Sequence, residues 1–225
     1  MKKMMLLIII AAASIATAKA DSVYYAGTGY GDSVGTWLNG YGSRNGFVGE
    51  IELKWDESDK NPFIAYCLTL SHGLLTEEMV AIRPLSELPD PGNPPGGDPG
   101  SGPRLAWLLN QYAFGVDSNI EGAALQIALW EVLYDTGGLY DLGTGDFRVT
   151  AASSAMVDLA NLYLTDIGSS EAIWLDSYGG IPGTDRYWQV GQDYGVPDPV
   201  PEPGSLLLLG TGISVMGLVL RRRKN

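Results

Sequence analysis

Between Pro89 and Pro103 the chain packs six prolines and five glycines into 15 residues. Proline fixes φ and removes a backbone donor, and glycine loses more backbone freedom on folding than any other residue. A stretch this stiff and this poor in apolar side chains reads as a linker or exposed loop. It divides the chain into two kinds of pattern, so one fold must combine both.

Before the divide, residues 23–88 read as β structure, with Gly, Ser and Asn punctuating apolar or alternating runs. Gly46 to Trp55 alternates as a half-buried strand does, with Phe47 out of phase. Phe63 to Leu70 reads as a strand with Cys67 inside it. After the divide the period becomes helical. Pro103 suits a first turn and opens a helix through Leu105, Trp107, Leu108 and Leu109 to Tyr112. A second helix starts at Ser118, with Glu121 completing a capping box, and runs to Tyr134 with Gly137 as its stop. A third spans Thr150 to Asp166, with Met156, Leu159, Leu162 and Tyr163 on one face. Ala172–Leu175 and Arg186–Val190 read as a β pair returning to the first sheet. The expected class is α+β. A β-sandwich or barrel part (21–88 and 170–195) carries the linker 89–103 and a three-helix insertion (104–168).

Both ends stand outside that fold. Lys2 and Lys3 precede an apolar run from Met4 to Ala16, and Ala18-Lys19-Ala20 offers a small-x-small cleavage site. This is the pattern of a secretory signal peptide over residues 1–20, cut before Asp21. At the other end, Pro201-Glu202-Pro203-Gly204 leads into an apolar run from Ser205 to Leu220, then Arg221, Arg222, Arg223 and Lys224. A single hydrophobic helix closed by cations reads as an anchor whose basic end stays in the cytoplasm. The run is short for a permanent span, which needs about 20 residues. Triplet, helix and Arg cluster over 200–225 resemble the PEP-CTERM sorting signal of Gram-negative bacteria. That resemblance implies an exosortase-type membrane protease as partner and a transient stay in the inner membrane. It also implies release to the envelope or an exopolysaccharide matrix.

The body from Asp21 to Pro203 keeps all 26 acids but only seven of the 14 cations, a net charge of −19. Such a surface repels phosphate backbones and excludes nucleic-acid binding. Asp141 and Asp146 in a Gly-rich loop are a weak calcium hint against the simpler reading of a solvated turn, and no metal site or cofactor is expected.

Cys67 is the one cysteine. An exported lone thiol has three open fates: a small buried hydrophobe, a bond between chains, or chemical use. Gln126 is the one strongly polar residue between Glu121 and Glu131 in a helix apolar on all sides, with Gly122, Ala123, Leu129 and Trp130 on its face. A buried amide without partners costs about 2–7 kcal/mol. It therefore bonds a backbone carbonyl, lies on a wet face, or has reacted.

Tyr66-Cys67-Leu68 on a strand, followed by Leu125-Gln126-Ile127-Ala128-Leu129-Trp130 on a helix, resembles the thioester (TQXA) domains of bacterial surface adhesins. Leu125 stands where Thr or another small or aliphatic residue is usual, a mild departure. The resemblance implies a domain over 21–199 with a Cys67–Gln126 side-chain thioester. Tyr66, Leu68, Ala128 and Trp130 would wall it, and an amine-bearing surface or matrix ligand would be captured covalently. This is one event without turnover, so the chain is read as no enzyme. His72 is five residues from Cys67, which on a regular strand puts the two on opposite sides; it reads as a turn residue rather than half of a Cys/His dyad. The alternative is a non-covalent carbohydrate-binding or structural matrix module, suggested by Tyr24, Tyr25, Tyr30, Trp37 and Tyr41 in a Gly/Ser-rich segment.

Overall fold

The computed structural model describes residues 20–70, 72–88, 100–135, 140–177 and 191–198. Residues 1–19 of the expected signal peptide, Ala18 among them, and the tail with Pro201, Glu202, Pro203 and Arg221 to Arg223 lie outside the described residues, whereas Ala20 of the expected cleavage site is the first residue of the first strand. Arg186–Val190, Gly137 and the Pro/Gly segment up to residue 99 also lie outside them.

Among the described residues seven strands run β1 (Ala20–Leu38), β2 (Gly42–Lys54), β3 (Phe63–Cys67), β4 (Glu77–Pro84), β5 (Phe147–Ala151), β6 (Ile173–Ser177) and β7 (Tyr194–Val196). The α-helices among the described residues are α1 (Ser101–Tyr112), α2 (Asn119–Tyr134) and α3 (Ser154–Tyr163). The order β2-β3-β7-β6-β4-β1-β5 is antiparallel throughout, and β1 also pairs β2. That last pairing brings the order back on itself, so β1, β2, β3, β7, β6 and β4 form a ring with β5 attached to the far end of β1. The reach of β1 makes this possible: residues 20–24 pair β4, whereas residues 24–38 pair β2. Register shifts between Tyr25 and Gly27 and between Thr28 and Gly31 bend the strand from one task to the other.

Two apolar clusters result. The smaller holds Val23, Ile51, Leu53, Ala65, Val80, Leu175, Tyr194 and Val196, all from the ring strands. The larger lies between sheet and helices and takes in α2 along its whole length. Every residue of α2 from Gly122 to Tyr134 is buried, because β1, β2, α1 and α3 pack around it. Its capping box forms as expected. Ser118 Oγ accepts from Glu121 N at 3.4 Å, and Glu121 accepts from Ser118 Oγ at 3.0 Å and from Asp117 N at 2.9 Å.

Several boundaries differ from expectation. The third helix begins at Ser154 and not Thr150, because Phe147–Ala151 is spent pairing β1. The first helix begins at Ser101, inside the stretch read as linker, and Ser101 and Gly102 are buried. A Cβ at Gly102 would run into the carbonyl of Leu85, so glycine there serves close packing rather than looseness. The alternation of Gly46–Trp55 fails at Glu50, which is 4% exposed although its phase placed it outside. Both faces of β2 are covered at that point, one by the ring interior and one by Tyr30 and Tyr66. The return to the sheet after β6 is made by β7, which pairs β3 and β6.

Candidate functional site

β3 pairs β2 as far as Glu50 with Tyr66, and pairs β7 at Tyr66 and Cys67. Cys67 is the last residue of the strand, one step past its last partner on β2. There a side chain of α2 takes the place of a strand. Cys67 N–H donates to Gln126 Oε1 at 2.9 Å, and Gln126 Nε2 donates to the Cys67 carbonyl at 2.7 Å. The carboxamide is 1% exposed, yet both of its ends are satisfied. Two turns along the same helix, the Tyr134 hydroxyl accepts from Leu70 N at 2.9 Å and donates to the Leu68 carbonyl at 3.0 Å. The chain leaving β3 is thus stitched to α2 at two points.

The expected pair, Cys67 and Gln126, is therefore brought together. The expected wall is only partly so. Side chains alternate along β3, so Tyr66 and Leu68 belong to the helix-side cluster with Ala128, whereas Cys67 packs against both clusters. Tyr66 is fully buried and donates to Glu50 Oε1 at 3.3 Å, away from the thiol. Trp130 does reach the site: it lines a cavity of about 370 Å³ together with Cys67, His72, Gln192 and Arg44. The presence of His72 there corrects its expected separation from Cys67. β3 ends at Cys67, so the period of two no longer governs residue 72. His72 Nδ1 is buried rather than solvated.

Cys67 is half-buried and lines that cavity. Burial first, and the Glu78 carboxylate second, push the thiol up to about 12. At neutral pH it is a thiol, not the thiolate a cysteine hydrolase holds ready. Sequence reasoning missed Glu78, which is 1% exposed and accepts from Leu75 N, Ser177 Oγ, Gln192 N and Tyr194 Oη at 3.0–3.1 Å. Burial raises its carboxyl against the pull of those donors. Asp193, raised by burial too, accepts from Ser177 N and Thr69 Oγ1. Tyr134 was also missed, although its spacing of eight from Gln126 on one helix face was a readable signal.

The Asp141–Asp146 loop is held by its own carboxylates. Asp141 accepts from Gly143 N and Thr144 Oγ1, and Asp146 from Asn39 Nδ2. Among the described residues no cluster of three or more His, Cys, Asp or Glu is arranged to hold a metal ion. No described helix is long and apolar enough to cross a membrane.

In comparisons with known proteins, no curated protein and no solved structure matches the chain. The resemblance to thioester domains accordingly finds no support there. The PEP-CTERM protein-sorting motif matches residues 199–224. A β-rich domain, with three α-helices among its described residues, therefore precedes a PEP-CTERM signal, which marks the chain as exported and directs transient membrane anchoring and exosortase-dependent sorting to the cell envelope.

Proposed function

We propose that the exported domain attaches covalently to an amine-bearing ligand through a thioester between Cys67 and Gln126. The observation carrying this reading is the docking of the Gln126 carboxamide on the backbone of Cys67 at 2.9 and 2.7 Å. Of all the backbone groups α2 faces, the buried amide selects those of the one cysteine.

The Cys67 sulfur attacks Gln126 Cδ, the Cδ–Nε2 bond breaks, and the thiol proton leaves with the amide nitrogen as ammonia. The Cys67 N–H on Oε1 supplies what an unactivated amide lacks, a donor aimed at the oxygen where charge develops. Holding both groups in place removes about 7–11 kcal/mol of the barrier in well-aligned intramolecular reactions. An incoming amine then attacks the same carbon, the C–S bond breaks, and the sulfur regains a proton. The high pKa of the thiol fits a bond sheltered in the interior and ill fits repeated turnover.

Intact mass of the exported protein tests the reading. A deficit of about 17 Da, the ammonia lost in acyl transfer, is expected, with Cys67 resisting alkylation until methylamine is added. Full mass with a freely alkylated Cys67 would overturn it.

A further inference from the structure

On the outer face of β2 and β3 a second cavity, of about 980 Å³, lies apart from Cys67. Tyr30, Trp55, Phe63 and Phe114 line it together with the carboxylates of Glu50 and Glu52. Three of these aromatic residues are unusually open: Tyr30 is 44%, Trp55 42% and Phe114 63% exposed. Trp55 is nevertheless held in place, stacked on Phe63 with ring centres 4.8 Å apart and planes at 23°. Glu50 is fixed from behind by Tyr30 N–H at 2.8 Å and the Tyr66 hydroxyl at 3.3 Å. Glu52 follows two residues later on the same face of β2, half-buried.

Rigid, open aromatic rings bind the C–H faces of pyranose rings, and rings beside carboxylates bind ammonium groups. A peptide that binds by adding a strand needs a free strand edge. None is offered here, because β2 is paired by β1 and β3, and β3 by β2 and β7. We propose that this groove binds a saccharide bearing free amines, its rings against Trp55 and Phe114 and its ammonium groups toward Glu52. The site is non-covalent and stands whether or not Cys67 and Gln126 react.

Calorimetry of the exported protein carrying Cys67→Ala, which has no sulfur to form a thioester, against a fully deacetylated glucosamine hexamer tests it at physiological salt. Measurable affinity is expected, with the N-acetylated hexamer about tenfold weaker or worse because it has lost the charge. Trp55→Ala and Phe114→Ala should each weaken binding by about tenfold, the worth of a lost ring contact. Both side chains are exposed, so the fold tolerates the change. Glu52→Gln should erase the preference for the free amine. Asp158→Asn, on the exposed side of α3, should change nothing. Equal binding of the acetylated hexamer, an equal loss in Asp158→Asn, or tighter binding of a lysine-rich peptide would each overturn the assignment. A missing mass deficit in the native protein would overturn only the thioester.

Discussion

Gln126 occupies on Cys67 the position that a neighbouring strand would hold, its Oε1 accepting from the cysteine N–H at 2.9 Å and its Nε2 donating to the cysteine carbonyl at 2.7 Å. The two residues lie 59 apart in sequence. One pair of contacts thereby links the central helix to the end of β3 and orients an amide toward the only cysteine.

Gln126→Ala and Cys67→Ala should both abolish methylamine adducts, but they differ in stability. The first leaves a buried N–H and C=O of Cys67 without their partner, at about 1–3 kcal/mol. The second keeps both bonds and should cost less. Urea denaturation of the two variants checks the order.

Tyr134→Phe removes the hydroxyl that Leu68 and Leu70 share. A loss of about 1–3 kcal/mol is expected from the two unpaired backbone groups. Amide exchange at Leu70 should quicken by more than exchange in α3, since the segment after β3 is released locally.

Gly122→Ala tests how α2 meets the sheet. A Cβ there would run into the carbonyl oxygen of Tyr30. Overpacking of this kind costs about 1–3 kcal/mol, outweighing the gain in helix propensity. The denaturation midpoint should fall, whereas alanine in place of Gly115, which meets nothing within 4 Å, should leave it nearly unchanged.

Glu131 predicts the pH dependence. Burial first, and the Asp135 carboxylate second, raise its carboxyl from 4.5 to about 8. The folded state therefore binds more protons than the unfolded chain between those values, and stability falls as pH rises through them. Asp135, Glu50, Glu78 and Asp193 are raised as well and act in the same direction. Denaturation midpoints should decline from about pH 5 to about pH 8. Glu131→Gln keeps an acceptor for the Asp141 N–H and should flatten the slope.

Deleting residues 199–224 removes the sorting motif and leaves the described elements untouched. The truncated protein should still be exported but should lose membrane association and processing. Fractionation followed by intact mass reads both.

Local rules carried much of this fold into the sequence. Ser118 and Glu121 announced the start of α2, its apolar residues announced its burial, and the apolar run from Phe63 announced β3 though not its end at Cys67, because caps and side-chain patterns act over a few neighbouring residues. The C-terminal signal was equally legible, since triplet, apolar run and cations are contiguous. What the tertiary structure alone decided depends on segments far apart in the chain. Glu50 is buried because Tyr30 and Tyr66 close over its side of β2, which no period in β2 encodes. Phe147–Ala151 became a strand because Leu38 and its neighbours offered a free ladder, overriding the helical pattern that follows. His72 joined the cavity of Cys67 because the chain leaves the pleat after β3. Gln126 was conspicuous in the sequence for its polarity, but only packing of α2 against the ring decided that the partner of its carboxamide would be Cys67.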